Sequence, residues 1–173
     1  MSGVAALSLS VRNGVADIPA ADWDALIGAE KQPFVRHAFL SALEQSGSLQ
    51  RELGWSPMPL LLHEGGKLIA AAPGYLKTNS HGEFVFDWSW ADAYRRNGLD
   101  YYPKLLIGVP YSPITGPRLL VGNGADAGAR RARLVGAIES LVSQLRLSSA
   151  HLNFLSEADA AALTHDPWLP RFD

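Results

Sequence analysis

The sequence predicts an α+β domain with a mixed sheet and helices on its faces. Short runs of period-two alternation, such as Leu7-Ser8-Leu9-Ser10-Val11, are interleaved with segments of helical period. Glycine and proline turns separate them, with no repeat, low-complexity tract or obvious linker. A chain of 173 residues that is 47% hydrophobic suits one domain with its own core. Residues 1–173 are therefore read as a single domain.

The first strand is Leu7 to Val11. Pro19 fits the first turn of a helix, where its missing N–H has no intrahelical partner to lose. Trp23, Leu26 and Ile27 share one face of that helix, and Gly28 stops it. A second helix spans His37 to Gln45, with Phe39, Leu40 and Leu43 inward and Gly47 as terminator. Pro59–His63 and Lys67–Leu76 then form a hairpin around Glu64-Gly65-Gly66, whose glycines supply the positive φ of a tight turn. Gly82 to Trp90 reads as another strand, with Phe84, Phe86, Trp88 and Trp90 on one face and Val85, Asp87 and Ser89 on the other. A short helix from Ala91 to Arg96 follows, ending before Gly98.

Lys104–Val109 is a compact apolar run and reads as a buried strand, bounded by Pro110. Arg118–Val121 is a further short strand. The clearest helix follows Gly122-Asn123-Gly124, with Leu134, Ile138, Leu141, Val142 and Leu145 on one face. His151–Leu155 reads as a strand. Ser156–Leu163 reads as a short helix with Ser156 as N-cap and Asp159 three residues on. Trp168–Phe172 reads as the start of a last strand.

Composition narrows the function classes. Net charge is −2, the isoelectric point is about 6.2 and charged residues make up 18%, which gives no support for nucleic-acid binding. The absence of cysteine excludes disulfides, thiolate zinc sites and a thiol nucleophile. Met1 to Arg12 has no basic leader followed by a long apolar run, and Leu68–Leu76 is broken by Pro73 and Gly74. A cytoplasmic protein without a membrane span is expected. His37, His63, His81, His151 and His165 have no zinc-ligand spacing, and no metal is expected. There is no G-x-S-x-G, and the neighbours Ser80 and His81 do not make a triad, which is defined in space.

Two segments concentrate chemistry. The first is Gly122-Asn123-Gly124 at the start of the long helix, with Arg130, Arg131 and Arg133 close behind. A helix N-terminus offers unpaired N–H groups and partial positive charge, so this segment suits a pyrophosphate such as that of acyl-CoA. It equally suits a polar turn with Asp126 as N-cap. The second runs from His81 to Tyr94. Acylation of an amine needs a base for the ammonium proton and an acid for the leaving group. Glu83, Asp87 or Asp92 fits the base, and Tyr94, Tyr101, Tyr102 or Tyr111 the acid. Asp87 is the first choice, because burial among apolar neighbours raises a carboxyl pKa. The alternative is an aromatic core strand with solvated acids. Tyr111 to Arg118, stiffened by prolines, fits either a binding loop or a plain connection.

Three blocks carry a family resemblance. They are Phe39-Leu40-Ser41-Ala42-Leu43-Glu44-Gln45-Ser46-Gly47; Tyr75-Leu76-Lys77 through Gly82-Glu83-Phe84-Val85-Phe86-Asp87; and Tyr101-Tyr102-Pro103-Lys104-Leu105-Leu106 through Val109-Pro110 and Thr115 to Leu120. Trp90-Ala91-Asp92-Ala93-Tyr94 fits the same pattern. From about Pro33 to Leu120 the chain resembles the N-terminal part of the bacterial FemAB-like family of peptidoglycan biosynthesis or recognition proteins, within the GNAT (acyl-CoA N-acyltransferase) superfamily.

The resemblance implies a GNAT-like mixed, mostly antiparallel sheet with helices on both faces. It implies N-acyl transfer to an amine acceptor linked to peptidoglycan precursors, from acyl-CoA as co-substrate or from aminoacyl-tRNA, with no tightly bound cofactor. Family members carry two GNAT-like halves, so the partner of this half is a second half or a homodimer mate. A non-catalytic recognition or dimerisation module is the alternative. The GNAT pyrophosphate signature, Q/R-x-x-G-x-G/A, is approached by Arg118 and Gly122-Asn123-Gly124 with one extra residue between.

Overall fold

The computed structural model of the chain describes residues 6–28, 32–85 and 87–172. In chain order the elements are β1 (Leu7–Val11), α1 (Ala20–Asp24), α2 (His37–Gln45), β2 (Trp55–Pro57), β3 (Leu60–Glu64), β4 (Lys67–Ala72), β5 (Gly74–Lys77), α3 (Trp88–Arg96), β6 (Lys104–Ile107), α4 (Ala127–Leu145), β7 (Ala150–Leu152) and α5 (Glu157–Ala160). The strands form two sheets, β1-β3-β4 and β2-β5-β6-β7. Every pair is antiparallel except β6–β7. This is the expected α+β class with mixed, mostly antiparallel pairing.

Period-two alternation sorts the β3–β4 hairpin between two cores. Leu60, Leu62, Ala70 and Ala72 pack under Leu134, Val135 and Ile138 of α4, together with Leu105 and Ile107 of β6. Leu61 and Ala71 face the other way, against Trp23 of α1 and Leu40 of α2. Helices therefore cover both faces. Gly65 (φ 58°) and Gly66 (φ 82°) make the hairpin turn. Trp23 is fully buried and satisfies its indole N–H on Val35 O at 2.8 Å.

Four element expectations are corrected. Lys67–Leu76 is not one strand: Pro73 lacks the N–H a ladder needs, and there the chain leaves the first sheet for the second. Arg118–Val121 supplies one bridge, Ala71 to Leu120, with both N–H···O contacts at 2.8 Å, and no strand. Trp168–Phe172 is not a strand; Trp168 packs onto the α4 core and donates its indole N–H to Glu139 Oε1 at 2.6 Å. Gly82–Trp90 is not extended either. Gly82 (φ 78°) and Phe84 (φ 57°) turn the chain, and Trp88 and Trp90 already belong to α3. Asp92 in α3 pairs with Arg95 and Arg96, three and four residues on, which is helical rather than strand logic. Phe86 of that run lies outside the described residues.

Gly82 is also tight. A Cβ there would sit 2.5 Å from the Tyr111 ring and 3.2 Å from the Trp55 ring, at a φ that side chains avoid. Gly82→Ala is expected to destabilise the fold by about 2 kcal/mol. Urea unfolding checks this; a variant as stable as the parent would show that the two rings move aside freely.

Candidate functional site

Strands β5 and β6 pair in a register that sets Lys77 directly opposite Lys104. Both side chains are fully buried. Like charges at opposed positions repel, and an ammonium out of water requires partners. The turn after β5 supplies them. Lys104 Nζ donates to Asp87 Oδ2 at 2.6 Å, to Glu83 Oε2 at 2.9 Å and to Ser80 Oγ at 3.1 Å. Lys77 Nζ donates to His81 O at 3.1 Å, stands 4.0 Å from Glu83 Oε1 and lies 3.5 Å above the Trp55 ring, a cation–π contact. Tyr101 O–H donates to Asp87 Oδ2 at 2.6 Å. Two buried cations thus face two buried carboxylates.

Burial and charge act differently on each member. Burial pushes Lys77 down to about 8, against the pull of Glu83. Burial raises Glu83, with Lys104 opposing. For Asp87 burial also acts upward, but the hydrogen bonds from Lys104 and Tyr101 and the Lys104 charge outweigh it, and its pKa lies below the ordinary carboxylate value. The sequence expectation of a raised Asp87 is thereby reversed. His151 on β7 is pushed down to about 4 by burial, with the Lys104 charge adding, so its imidazole is neutral at pH 7. Its Nε2 lies 2.9 Å from Ser149 Oγ.

Beside this cluster runs a groove of about 500 Å³ along α3, whose lining includes Trp88, Asp92, Leu99, Tyr101 and Tyr102. Tyr102 joins groove to cluster: its hydroxyl lies 2.7 Å from Ser80 Oγ, which Lys104 contacts in turn. His81 meets the Trp88 ring edge-on at 5.1 Å.

A family model, FemAB-like, described as peptidoglycan biosynthesis/recognition, matches residues 14–173. The chain belongs to the FemAB-like family. Membership implies a GNAT-type acyltransferase linked to peptidoglycan. No curated protein and no solved structure gives a match. No helix among the described residues is long and apolar enough to cross a membrane.

In this FemAB-like chain the structure gathers some expected residues and separates others. Glu83 and Asp87 share the buried cluster, Asp92 and Tyr102 line the groove, and Tyr94 stacks edge-on against Tyr101 at 5.1 Å. Tyr111 lies apart, donating to Ser48 O at 2.9 Å. The glycine loop sits elsewhere, against α1: Gly122 N–H donates to Leu26 O at 2.8 Å, Asn123 lies beside Gly28, and Gly124 has φ 125°. Arg130 donates to Val121 O at 3.2 Å and lies 3.9 Å from Asp126. Arg131 donates to the buried Asp159 at 2.8 Å.

Sequence reasoning missed Lys77, Lys104 and Ser80. The available signal was a lysine ending one apolar strand and a lysine opening another, positions where an exposed residue is the usual reading.

Proposed function

We propose that this FemAB-like chain takes part in N-acyl transfer to an amine of a peptidoglycan precursor, with the reacting groups held in the groove beside α3. The observation that carries this is the hydrogen-bonded path from buried Lys104 through Ser80 to Tyr102 on the groove wall, with the Asp92 carboxylate on the same groove. Asp92, exchanging its pairs with Arg95 and Arg96 for the acceptor ammonium, takes a proton from it and returns that proton to the leaving group. The freed amine attacks the acyl carbonyl, a C–N bond forms, and the nitrogen sheds its second proton to water. The donor's C–S or C–O bond breaks with its electron pair on the sulfur or oxygen that takes the proton from Asp92. Tyr102 stands beside the acyl group. Asp87 and Glu83 act from beneath by holding Lys104. A CoA pyrophosphate at Gly122-Asn123-Gly124 has to share Arg130 and Arg131 with Val121, Asp126 and Asp159.

The test supplies acetyl-CoA or aminoacyl-tRNA with a peptidoglycan pentapeptide precursor and reads acylation of the amine by mass spectrometry. Transfer is expected, and Tyr102→Phe is expected to lower its rate about 100-fold. Absence of transfer from either donor would sink this reading. One observation favours recognition without catalysis: Trp88 and Trp90 are 48% and 56% exposed, as ring faces for a sugar or peptide are. Binding of the precursor without acylation selects that second reading.

A further inference from the structure

We infer that Lys104 and Ser80 are positioning residues that fix the Tyr102 hydroxyl as a hydrogen-bond donor to the carbonyl oxygen of an acyl group in the groove. The inference rests on the acyl-transfer reading above and adds the direction of each proton.

The direction follows from the donor and acceptor inventory. An ammonium has three hydrogens and no lone pair, so every contact of Lys104 Nζ is a donation. Its three contacts, to Asp87, Glu83 and Ser80, use all three hydrogens. Ser80 Oγ is therefore an acceptor from Lys104, and its own single hydrogen must go elsewhere. Tyr102 O, at 2.7 Å, is its shortest contact. Asp87 is the competing acceptor for that hydrogen, but its Oδ2 takes Lys104 and Tyr101 at 2.6 Å each and its buried Oδ1 has no hydrogen-bond partner, so Ser80 makes no bond to either oxygen. With Ser80 donating to Tyr102, the phenolic hydrogen is free to turn away from the cluster, toward the groove that Tyr102 lines.

A chain that starts at a charged donor polarises each link after it. Such a hydroxyl suits an oxygen that gains negative charge. As the amine attacks, the carbonyl π pair moves onto oxygen, and the Tyr102 O–H meets it with the Lys104 charge behind. No proton leaves Tyr102. On collapse the C=O bond reforms and the leaving group departs. Lys104, Asp87 and Glu83 lie on the cluster side of Tyr102, and Asp92, Arg95 and Asp100 line the groove with it. Burial raises the phenol pKa, so the hydroxyl keeps its hydrogen at pH 7.

Two readouts test this. Neutron diffraction from deuterated crystals of the full chain locates the hydrogens: a Ser80 deuteron pointing at Tyr102 O is expected. A Tyr102 deuteron pointing at Ser80 Oγ, or a Ser80 deuteron on Asp87, overturns the inference whatever the activity. In the transfer assay Ser80→Ala is expected to lower kcat about 10-fold or more with KM unchanged, and Ser80→Thr to restore it. A Ser80→Ala variant with unchanged kcat, or with only KM altered, overturns the inference while leaving acyl transfer standing. A parent chain that transfers nothing overturns the acyl-transfer reading and this inference together.

Discussion

Lys104→Met is expected to destabilise the protein by about 3–5 kcal/mol, the range for removing one partner of a buried ion pair. The side chain is fully buried and serves three acceptors at once. Methionine fills much of the same volume, so the loss is electrostatic rather than a cavity. Glu83 and Asp87 would then share the Lys77 ammonium, which reaches Glu83 only at 4.0 Å. Urea unfolding, with the midpoint lowered and the slope unchanged, is the check. The pH dependence carries the sign. Without Lys104 both carboxyls have folded pKa values above their unfolded ones, so the folded state binds more protons and the variant regains stability as pH falls through the carboxylate range. A variant that instead weakens on acidification would show that Lys104 was not what kept the two carboxylates ionised. Replacing Glu83 and Asp87 with leucine in the Lys104→Met background removes the stranded charges, and it is expected to recover part of the loss.

Asp159→Ala is expected to lose a comparable amount, about 3 kcal/mol, for a different reason. Asp159 is a fully buried carboxylate at the end of the four-residue helix α5. It accepts the backbone N–H of Arg118 at 2.6 Å and of Leu119 at 3.1 Å, and the Arg131 Nε–H at 2.8 Å. Alanine leaves two backbone donors and a mostly buried guanidinium without their acceptor. The same change unties α5 from the 116–119 segment and from α4. Thermal unfolding reads the stability, and limited proteolysis reads the C-terminal segment, which should be cut before the rest of the chain. A loss below about 1 kcal/mol would mean that water replaces the carboxylate at little expense.

Much of the scaffold was legible. The α2 boundaries, the hairpin turn at Gly65 and Gly66, Leu134 and Ile138 on the buried face of α4 and the Ser156 cap follow from period, turn chemistry and capping, which are local rules. Leu145, expected on the same α4 face, is exposed, and Val135 is buried in its place. Ser156 Oγ accepts the Asp159 N–H at 3.3 Å, as the spacing predicts. The site was legible only in part. The aromatic spacing from Phe84 to Trp90 imitates a strand, and periodicity cannot report that a positive φ at Gly82 and Phe84 turns the chain into a helix. The apolar neighbours of Asp87 point to a raised pKa, yet against burial it is pulled down by Lys104, 17 residues away, and by Tyr101. Lys104 reaches Glu83 across 21 residues, and no local pattern announces such a pair. The exposure of Trp88 was likewise hidden, because an indole in a strand-like run reads as core.

The opposed lysines also proofread strand alignment. Lys77 and Lys104 project to the face shared with Tyr75 and Leu106, while Leu105 and Ile107 project to the α4 side. A slip of one residue between β5 and β6 would turn one ammonium toward the leucines and isoleucines beneath α4, where the carboxylates cannot follow. Only one pairing lets both amines find their acids, so misaligned sheets are rejected by the very groups buried beside the groove.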